Sequence, residues 1–455
     1  MTDQLTALRN YFESGATKSY AFRKTQLEKL RDSVEKHEEE IYEALFNDLK
    51  KSKEECWITE NGFLLNEIKY QLRKLKGWMQ PRRVSTNLLN FPGSSYIMAE
   101  PLGTVLIIGP WNYPFQLLLA PLAGAIAAGN TVVLKPSEFA PHTAAVIKKI
   151  ITSCFPENYV LYAEGEGATV IPAMMDHFVF DHVFFTGSTV VGKKIYEMAA
   201  KNLVPVTLEL GGKSPCVVEE DANIEVAARR IVTTKFSNAG QMCVAPDYIL
   251  VHESKKQAFI ESVKDKLQKF YGDDAKNSPD FGKIINQRQF ERVAGYLKNG
   301  RILCGGKTDA AALYIEPTLM DDVDMESPLM QEEIFGPVLP VISFLNREEA
   351  LRIIDRHKNP LAFYIFTSDS RKEKSWLDKV AFGGGCVNNA SYHLTNHHLP
   401  FGGRGNSGMG RYHGRFSFDT FSHKKAVMKT AAWFDPSVKY PPFGGKLSLF
   451  KKVFG

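Results

Sequence analysis

The chain has little excess of either charge and no long apolar stretch. Lysine and arginine number 56 against 51 aspartates and glutamates, so the formal net charge is only +5 over 455 residues. That balance does not call for a nucleic-acid partner, although small anionic molecules are compatible with it. The longest mostly apolar stretch, residues 115–128, is interrupted by Gln116, Pro121 and Gly124. It falls short of the ~18 apolar residues of a membrane span, so we expect no transmembrane anchor.

Paired cysteines and metal-binding spacings are also missing. No two of the six cysteines stand closer than Cys216 and Cys243, which leaves no C-x-x-C pair and no zinc-ligand spacing. His393, His397 and His398 lack an H-E-x-x-H arrangement, and we expect no metal ion there. The first residues lack the basic start and apolar run of an export signal. We therefore expect a cytoplasmic protein whose cysteines are free thiols, most of them buried and inert.

The first 79 residues carry apolar side chains at helical spacing between dense clusters of charge. The clusters are KHEEE at 36–40 and KKSKEE at 50–55. Charged residues between helically spaced apolar ones are typical of solvent-facing helix surfaces. We interpret both clusters as solvated helix faces and assign them no function.

From Gly103 onward, apolar strands alternate with helices. Such strands, joined to helices by short connections, predict a parallel sheet with helices on both faces, the doubly wound α/β arrangement. After Gly212 the alternation resumes, with helices expected at 224–236 and 255–271, which predicts a second α/β domain. Residues 401–410 hold too many glycines for a regular element. The first series of strands is predicted at 103–109, 131–136, 159–165, 182–185 and 205–210.

Several polar residues follow these strands, where doubly wound sheets bind ligands. Gly187 and Ser188 stand between a strand and a helix, so the helix N-terminus could receive a phosphate. Taken alone, an ordinary turn explains them better. Glu138 would accept a ribose hydroxyl, whereas Lys135 would also tolerate a 2′-phosphate; a solvated turn explains this pair equally well.

Three further residues have side chains suited to catalysis. Glu209 closes an apolar strand, and a carboxylate in such a place is either paired or functional. Burial would raise its pKa toward the range of a general base. Asn112 follows the first strand and could donate to an oxyanion, although a turn asparagine is the simpler interpretation. Cys243, in NAGQMCVAPD, is either a reactive thiol or one more buried cysteine.

Together these pieces resemble the NAD(P)-dependent aldehyde dehydrogenases over essentially the whole chain. The ending YHGRFSFDTFSHKK and the Ala-Pro-Asp after Cys243 are most similar to the class 3 branch, which includes fatty aldehyde dehydrogenases. The motifs are EPLGTVLIIGPWNYP at 100–114, KPSE at 135–138, FTGSTVVG at 185–192, LELGGKSP at 208–215, FSNAGQMC at 236–243, EEIFGPVLP at 332–340 and LPFGGRGNSGMG at 399–410.

The resemblance implies a role for each candidate. Cys243 would be the nucleophile that forms a thiohemiacetal and then a thioester. Asn112, with the backbone N–H of Cys243, would form the oxyanion hole, and Glu209 would activate the hydrolytic water. The cofactor would be NAD or NADP, with the preference left open. Its contacts would be Lys135 and Glu138 at the adenine ribose, Gly187 and Ser188 at the pyrophosphate, and Glu333 and Phe335 at the nicotinamide ribose.

The resemblance also implies a homodimer with three parts, acting on a small aldehyde that is medium-chain, long-chain or aromatic. The last ten residues, 446–455, form a basic amphipathic tail; packing against a partner subunit is favoured over weak contact with a membrane surface. The parts are a cofactor domain from 1–79 and 103–209 with 393–412 returning to it, a catalytic domain at 210–392, and a bridging segment from 80–102 and 413–445.

Three alternatives stay open at this stage. An acylating dehydrogenase would resolve the thioester with coenzyme A or phosphate, but Glu209 argues against it. A cofactor-free cysteine hydrolase could be built on Cys243 and Glu209. A non-catalytic descendant is disfavoured because each proposed catalytic residue is present.

Overall fold

The computed structural model describes residues 1–454, with the side chains of the last two of these left out. Helices dominate the first 79 residues and alternate with strands thereafter. The α-helices are α1 Thr2–Glu13, α2 Tyr20–Lys36, α3 Glu38–Leu49, α4 Lys53–Cys56, α5 Gly62–Trp78, α6 Gln116–Ala128, α7 Pro141–Cys154, α8 Gly167–His177, α9 Thr189–Ala200, α10 Ile224–Phe236, α11 Lys256–Tyr271, α12 Gln287–Tyr296, α13 Pro328–Gln331, α14 Arg347–Ile354, α15 Ser370–Lys379, α16 Arg415–Thr420 and α17 Leu447–Phe454.

The strands are short and, in the two large sheets, mostly buried on both faces. They are β1 Arg82–Val84, β2 Gly93–Pro101, β3 Thr104–Ile108, β4 Thr131–Lys135, β5 Val160–Tyr162, β6 His182–Thr186, β7 Val206–Glu209, β8 Pro215–Val218, β9 Tyr248–His252, β10 Arg301–Cys304, β11 Thr308–Asp309, β12 Tyr314–Ile315, β13 Thr318–Asp321, β14 Val338–Phe344, β15 Ala362–Phe366, β16 Gly384–Val387, β17 Gly408–Met409 and β18 Ser422–Thr430.

The first large sheet has the order β17-β7-β6-β3-β4-β5, and all its pairings are parallel except that of β17 with β7. The chain runs outward from β3 through β4 to β5 and then resumes on the other side of β3 with β6 and β7. This reversal makes β3 and β6 the switch point of a doubly wound sheet, where such sheets bind ligands. The predicted α/β fold is confirmed.

The second large sheet has the order β10-β13-β14-β9-β8-β15-β16 and is parallel except at β10. Its inner strands β8, β9 and β15 are continuous apolar runs that are buried along almost their whole length, as is typical of a sheet covered on both faces. The second α/β unit predicted from the alternation after Gly212 is therefore present. The expected helix at 224–236 has the bounds predicted from the sequence, and the helix expected at 255–271 begins one residue later, at Lys256.

A third sheet forms an antiparallel arm, which we define as residues 82–101 and 422–430. In it β2 pairs with β1 on one side and with β18 on the other, in register from Gly93 with Thr430 to Pro101 with Ser422. The side chains of β18 are mostly exposed, as are Leu88 and Phe91 in the connection between β1 and β2. The arm is thus a thin element with apolar groups on its surface.

Three local expectations from the sequence differ from the structure. The KKSKEE cluster is not wholly a solvated face, because the Lys51 side chain is fully buried in an ion pair. The strand expected at 159–165 is limited to Val160–Tyr162. The glycine-rich stretch contains β17, because Gly408 pairs with Glu209 at the sheet edge. Propensity could not foresee that pairing, which depends on the adjoining strand.

The C-terminal tail forms α17, as its helical spacing predicts, and the Phe443 ring packs against that of Phe450 at 5.9 Å. Among the described residues, no helix combines the length and apolarity needed to cross a bilayer. Within residues 1–454, no group of three or more histidine, cysteine, aspartate or glutamate side chains is placed to hold a metal ion.

Candidate active site

Cys243 lies in an irregular segment after α10 whose backbone is strained. Asn238 and Ala239 have φ values of 50°, followed by Gly240 at 75°. Left-handed conformations cost energy for residues other than glycine and persist where the surroundings over-determine them, often at active sites. A Cβ on Gly240 would come within 2.3 Å of the Gly336 carbonyl oxygen, so only glycine fits. The segment presents a half-buried thiol at its end.

Asn112 is joined to this segment by two hydrogen bonds. It lies in residues 109–116, which run from the end of β3 to the first residue of α6 and which we call the oxyanion loop after the role predicted for Asn112. Its Nδ2 donates to the Gln241 carbonyl at 3.0 Å, and its own carbonyl accepts from Asn238 Nδ2 at 2.7 Å. Gln241 is fixed in turn, since its side-chain oxygen accepts from the Ile285 N–H at 3.0 Å. One N–H of the Asn112 side-chain amide is thus hydrogen-bonded to the cysteine segment. Because a side-chain amide has two N–H groups, a second donor remains.

Glu209 is a buried carboxylic acid at the carboxyl end of β7. Its backbone pairs with Thr186 on β6 and with Gly408 on β17. Neither side-chain oxygen has a hydrogen-bond partner in the part of the chain that the structure describes. Burial raises the pKa of Glu209 well above its usual range. An unpartnered acid of this kind is suited to bind water and, once ionised, to take its proton.

The thiol of Cys243 is protonated in this environment. Burial raises its pKa to about 12, and the nearby Glu333 and Glu209 carboxylates add to that effect. These three sequence-predicted residues are therefore electrostatically coupled. Because thiolate is the nucleophilic form, the resting site needs an added positive charge to activate the thiol.

Glu333 and Phe335 stand on the facing loop from the second sheet. The pKa of Glu333 is raised to about 8, chiefly by burial and then by Asp247. A Cβ on Gly211 would lie 1.9 Å from the Glu333 carboxylate, so a side chain there would displace that carboxylate. The Phe335 ring meets Trp111 of the oxyanion loop edge-on at 5.2 Å. The two loops thus contact each other through these rings.

A buried ion pair holds the Glu333 loop. Lys213 Nζ donates to Asp247 Oδ2 at 2.5 Å and to the Glu332 carbonyl at 2.8 Å, while Asp247 Oδ1 accepts from the Ile334 N–H at 2.9 Å. Both charges are almost completely buried. Both residues stand within sequence motifs, LELGGKSP at 208–215 and the Ala-Pro-Asp after Cys243, but nothing in these motifs indicates the contact between them.

Lys135 and Glu138 lie at the carboxyl end of β4. Lys135 Nζ donates to Glu138 Oε2 at 3.3 Å, and Glu138 Oε1 accepts from the Gly167 N–H at 3.1 Å. Burial opposes ionisation of Glu138, but its own N–H, that of Gly167 and Lys135 together lower its pKa. Glu138 is a partly exposed anion and Lys135 is buried beneath it. The pair therefore presents a carboxylate toward solvent.

Gly187 and Ser188 begin the connection from β6 to α9. Ser188 Oγ caps α9 by accepting from the Val191 N–H at 3.4 Å, and Gly187 N–H donates to the Glu209 carbonyl at 3.0 Å. A Cβ on Gly187 would come within 2.5 Å of the Phe185 ring. The result is a tight turn before a helix whose N-terminal dipole favours an anion.

These residues fit a dinucleotide. The helix N-terminus at Ser188 and the carboxylate of Glu138 follow neighbouring strands on either side of β3, and their carboxyl ends share one sheet edge. That is the position in which doubly wound sheets hold the pyrophosphate and a ribose hydroxyl.

Some residues near the site gave no signal in the sequence. The hydroxyl of Tyr412 is electrostatically coupled to Glu209 and Cys243, and burial raises its pKa well above the usual value. Lys235 is fully buried, and its ammonium has no hydrogen-bond partner among the residues described. Burial lowers its pKa to about 8. A lysine in a helix next to a charged face is normally solvated, so the pattern alone could not single it out.

Comparison with known proteins identifies the family, and with it the reaction, to which this site belongs. The model of the aldehyde dehydrogenase family matches residues 4–427. The chain belongs to the aldehyde dehydrogenase family. It is 48% identical over 449 residues to 4,4′-diaponeurosporen-aldehyde dehydrogenase of Staphylococcus aureus, spanning 98% of this chain and 97% of the relative.

Two further likenesses extend the assignment. The dehydrogenase is 42% identical over 449 residues to the dimeric NADP-preferring aldehyde dehydrogenase of Rattus norvegicus, spanning 98% of this chain and 99% of that one. A solved structure of Staphylococcus aureus AldH in a substrate-bound state superposes with a TM-score of 0.97 at 46% identity, covering 100% of this chain and 99% of the other. The dehydrogenase therefore oxidises aldehydes to carboxylic acids with NAD or NADP, and the class 3 resemblance is confirmed.

Proposed function

We propose that Cys243, Asn112 and Glu209 carry the reaction as nucleophile, oxyanion donor and water-activating base. The observation behind this assignment is their convergence at one edge of the first sheet. Asn112 is hydrogen-bonded to the segment that ends in Cys243, and Glu209 is coupled to the same thiol while its oxygens have no partner among described residues.

In the first half-reaction the Cys243 thiolate adds to the aldehyde carbon. The carbonyl oxygen becomes an alkoxide that the second Asn112 N–H and the backbone N–H of Cys243 stabilise; such donors contribute most when fixed in advance. When bound, NAD(P)⁺ supplies the acceptor for the hydride that leaves the substrate carbon. Loss of that hydride converts the thiohemiacetal on Cys243 into a thioester.

In the second half-reaction Glu209 removes a proton from water, which attacks the thioester carbon. The acid is released and the Cys243 sulfur leaves as thiolate. Burial raises the pKa of Glu209 well above its usual range, so its ionised form is a stronger base than an ordinary glutamate. The acylating alternative has no use for this carboxyl group.

We assign six residues to the cofactor cleft. Lys135 and Glu138 bind the adenine ribose, Gly187 and Ser188 the pyrophosphate, and Glu333 and Phe335 the nicotinamide ribose. For Glu138 the support is its exposed anionic oxygens, which suit a free ribose hydroxyl better than a 2′-phosphate. This makes NAD the favoured cofactor. The first large sheet with the N-terminal helices would form the cofactor domain, and the second large sheet the catalytic domain.

The substrate we propose is an apolar aldehyde, either of medium or long chain or aromatic. Its support is an aromatic group that borders the catalytic residues. The rings of Phe63 and Phe401 lie 5.5 Å and 5.0 Å from that of His413, and Tyr412, coupled to Cys243, adjoins them. One relative is named for 4,4′-diaponeurosporen-aldehyde.

A homodimer in the cytoplasm is the proposed working form. The arm offers exposed Leu88, Phe91 and Met428 for contact between subunits, and a relative is named as dimeric. The tail adds exposed Leu447 and Leu449. We favour its packing on a partner subunit over contact with a membrane surface. Sedimentation of the protein with and without residues 446–455 tests whether the tail supports the dimer. Sedimentation with anionic vesicles tests whether the tail binds a membrane surface.

Steady-state assays with aliphatic aldehydes of increasing chain length and with benzaldehyde, each with NAD and NADP, test the assignment. We expect kcat/KM to rise with chain length and the product to be the free acid. An absolute need for coenzyme A would establish the acylating alternative instead. Ester or thioester cleavage without any NADH formation would establish the hydrolase.

A further inference from the structure

A second buried ion pair, Lys51–Glu60, lies behind the oxyanion loop. Lys51 Nζ donates to Glu60 Oε1 at 2.6 Å, and neither side chain is exposed to solvent. Glu60 belongs to a π-helical turn, Trp57–Asn61, between α4 and α5. Such turns are rare and frequently stand at functional sites. None of the roles proposed for the catalytic and cofactor-binding residues involves this pair.

Both members of the pair contact the oxyanion loop. Lys51 Nζ donates to the Asn112 carbonyl at 3.2 Å and lies 3.8 Å from the centre of the Tyr113 ring. The other oxygen of Glu60 accepts from the Gln116 N–H at 2.9 Å, at the first residue of α6. The pair therefore fixes the loop at three positions.

A contribution to fold stability does not by itself explain why a buried ion pair is present here. Removing two charges from water is costly, and well-packed apolar residues in their place are often as stable or more so. Burial itself raises the pKa of Glu60, against the opposing effect of Lys51. What apolar residues could not reproduce is the directed hydrogen bond from Lys51 to the Asn112 peptide.

The orientation of that peptide determines where the Asn112 amide points. The carbonyl oxygen of Asn112 receives donors from two sides, Lys51 Nζ and Asn238 Nδ2, while the side-chain amide is bonded to the Gln241 carbonyl. These contacts leave the residue little rotational freedom. Donors to an oxyanion are effective when they need no reorganisation as charge develops.

We propose that Lys51 and Glu60 are positioning residues that hold the Asn112 amide in place for oxyanion stabilisation. The proposal rests on the role proposed for Asn112. Lys51 touches neither substrate nor the reacting atoms; it acts through the Asn112 peptide.

The test starts from Lys51→Met combined with Glu60→Gln, which removes both charges but keeps an acceptor for the Gln116 N–H. Because no unpaired charge stays buried, this double variant should fold, with urea unfolding checking its stability. Single-turnover NADH formation should nevertheless slow roughly 10- to 100-fold, a fraction of what loss of an oxyanion donor costs. An unchanged rate in the folded double variant would overturn the proposal.

A second double variant distinguishes loss of the hydrogen bond from a folding defect. Lys51→Gln combined with Glu60→Gln retains an N–H donor toward the Asn112 carbonyl without any charge. We expect it to recover most of the rate lost in the first double variant, whereas equal losses in both would contradict positioning by hydrogen bonding. Lys53→Met is the surface control, since Lys53 is exposed in an ion pair with Glu39 and should leave the rate unchanged.

A double-mutant cycle separates positioning from a general structural effect. In an Asn112→Ala background, the Lys51 and Glu60 changes should cause no further loss, because the amide they orient is gone. A further loss by the same factor in that background would assign the pair a purely structural role. Full activity of Asn112→Ala itself would instead refute the oxyanion role on which the proposal rests.

Discussion

The side-chain amide of Asn112 donates to the backbone carbonyl of Gln241 at 3.0 Å, although the two residues lie 129 positions apart. One belongs to the oxyanion loop of the first sheet, and the other stands two residues before Cys243. The bond ties the amide to the segment that ends in Cys243 before any substrate arrives. Catalysis by preorganised dipoles needs this kind of fixed geometry.

Asn112→Ala should therefore lower the rate of hydride transfer by a factor on the order of 10² to 10³, with little change in cofactor binding. The measurement is single-turnover NADH formation at saturating aldehyde. Asn202→Ala, at an exposed position, is the matched control and should behave as wild type. A rate within threefold of wild type for Asn112→Ala would remove the amide from the mechanism.

Alkylation by iodoacetamide tests the protonation state of Cys243. Because burial and two carboxylates raise its pKa to about 12, the free enzyme should react slowly at pH 7. The rate should rise about tenfold per pH unit as thiolate forms, up to that pKa. Saturating NAD⁺ should accelerate alkylation at fixed pH, since a nearby positive charge favours thiolate. Fast alkylation of the free enzyme that does not depend on pH would contradict this account.

Glu209→Gln should separate the two half-reactions. A burst of about one NADH per site should persist because thiohemiacetal formation does not need the carboxylate, and steady-state turnover should then fall roughly 100-fold or more. In wild type the raised pKa of Glu209 delays ionisation, so turnover should increase with pH above the usual carboxylate range. The Gln variant should lose that increase. A wild-type pH profile in the variant would assign the base elsewhere.

The sequence predicts where in the fold a candidate residue lies when that residue closes or follows a strand. Glu209 and Ser188 could be placed at one sheet edge because Glu209 lies near the end of a predicted strand and Ser188 follows another, and strand carboxyl ends converge by topology. Lys51 could not, since its neighbours in KKSKEE are charged and nothing local distinguishes a buried lysine from a solvated one. Its burial depends on Glu60 and on the Asn112 carbonyl, 61 residues away, which only the packed fold brings together.

Cofactor preference should depend on Glu138. Its exposed carboxylate is held ionised and would repel a 2′-phosphate, so Glu138→Gln should raise kcat/KM for NADP relative to NAD by about tenfold, equivalent to ~1.4 kcal/mol. Glu164→Gln removes an exposed carboxylate after β5 and serves as the control. An unchanged ratio of the two cofactors in Glu138→Gln would place the 2′ position away from this residue.

Asp247→Asn should affect both stability and cofactor use. The substitution keeps the shape of the side chain but leaves Lys213 as an unpaired buried charge, which typically costs ~3–5 kcal/mol of unfolding free energy. Since Asp247 Oδ1 and Lys213 Nζ also hold the Ile334 N–H and the Glu332 carbonyl, the intervening Glu333 should lose its fixed position.

Urea unfolding and the KM for NAD measure the two effects, and Asp378→Asn at an exposed helix position is the control. Because Lys213→Met combined with Asp247→Asn removes both charges, it should regain much of the stability but keep the raised KM, as methionine cannot donate to the Glu332 carbonyl. A KM that recovers together with stability would show that the ion pair supports the fold alone and not the position of Glu333.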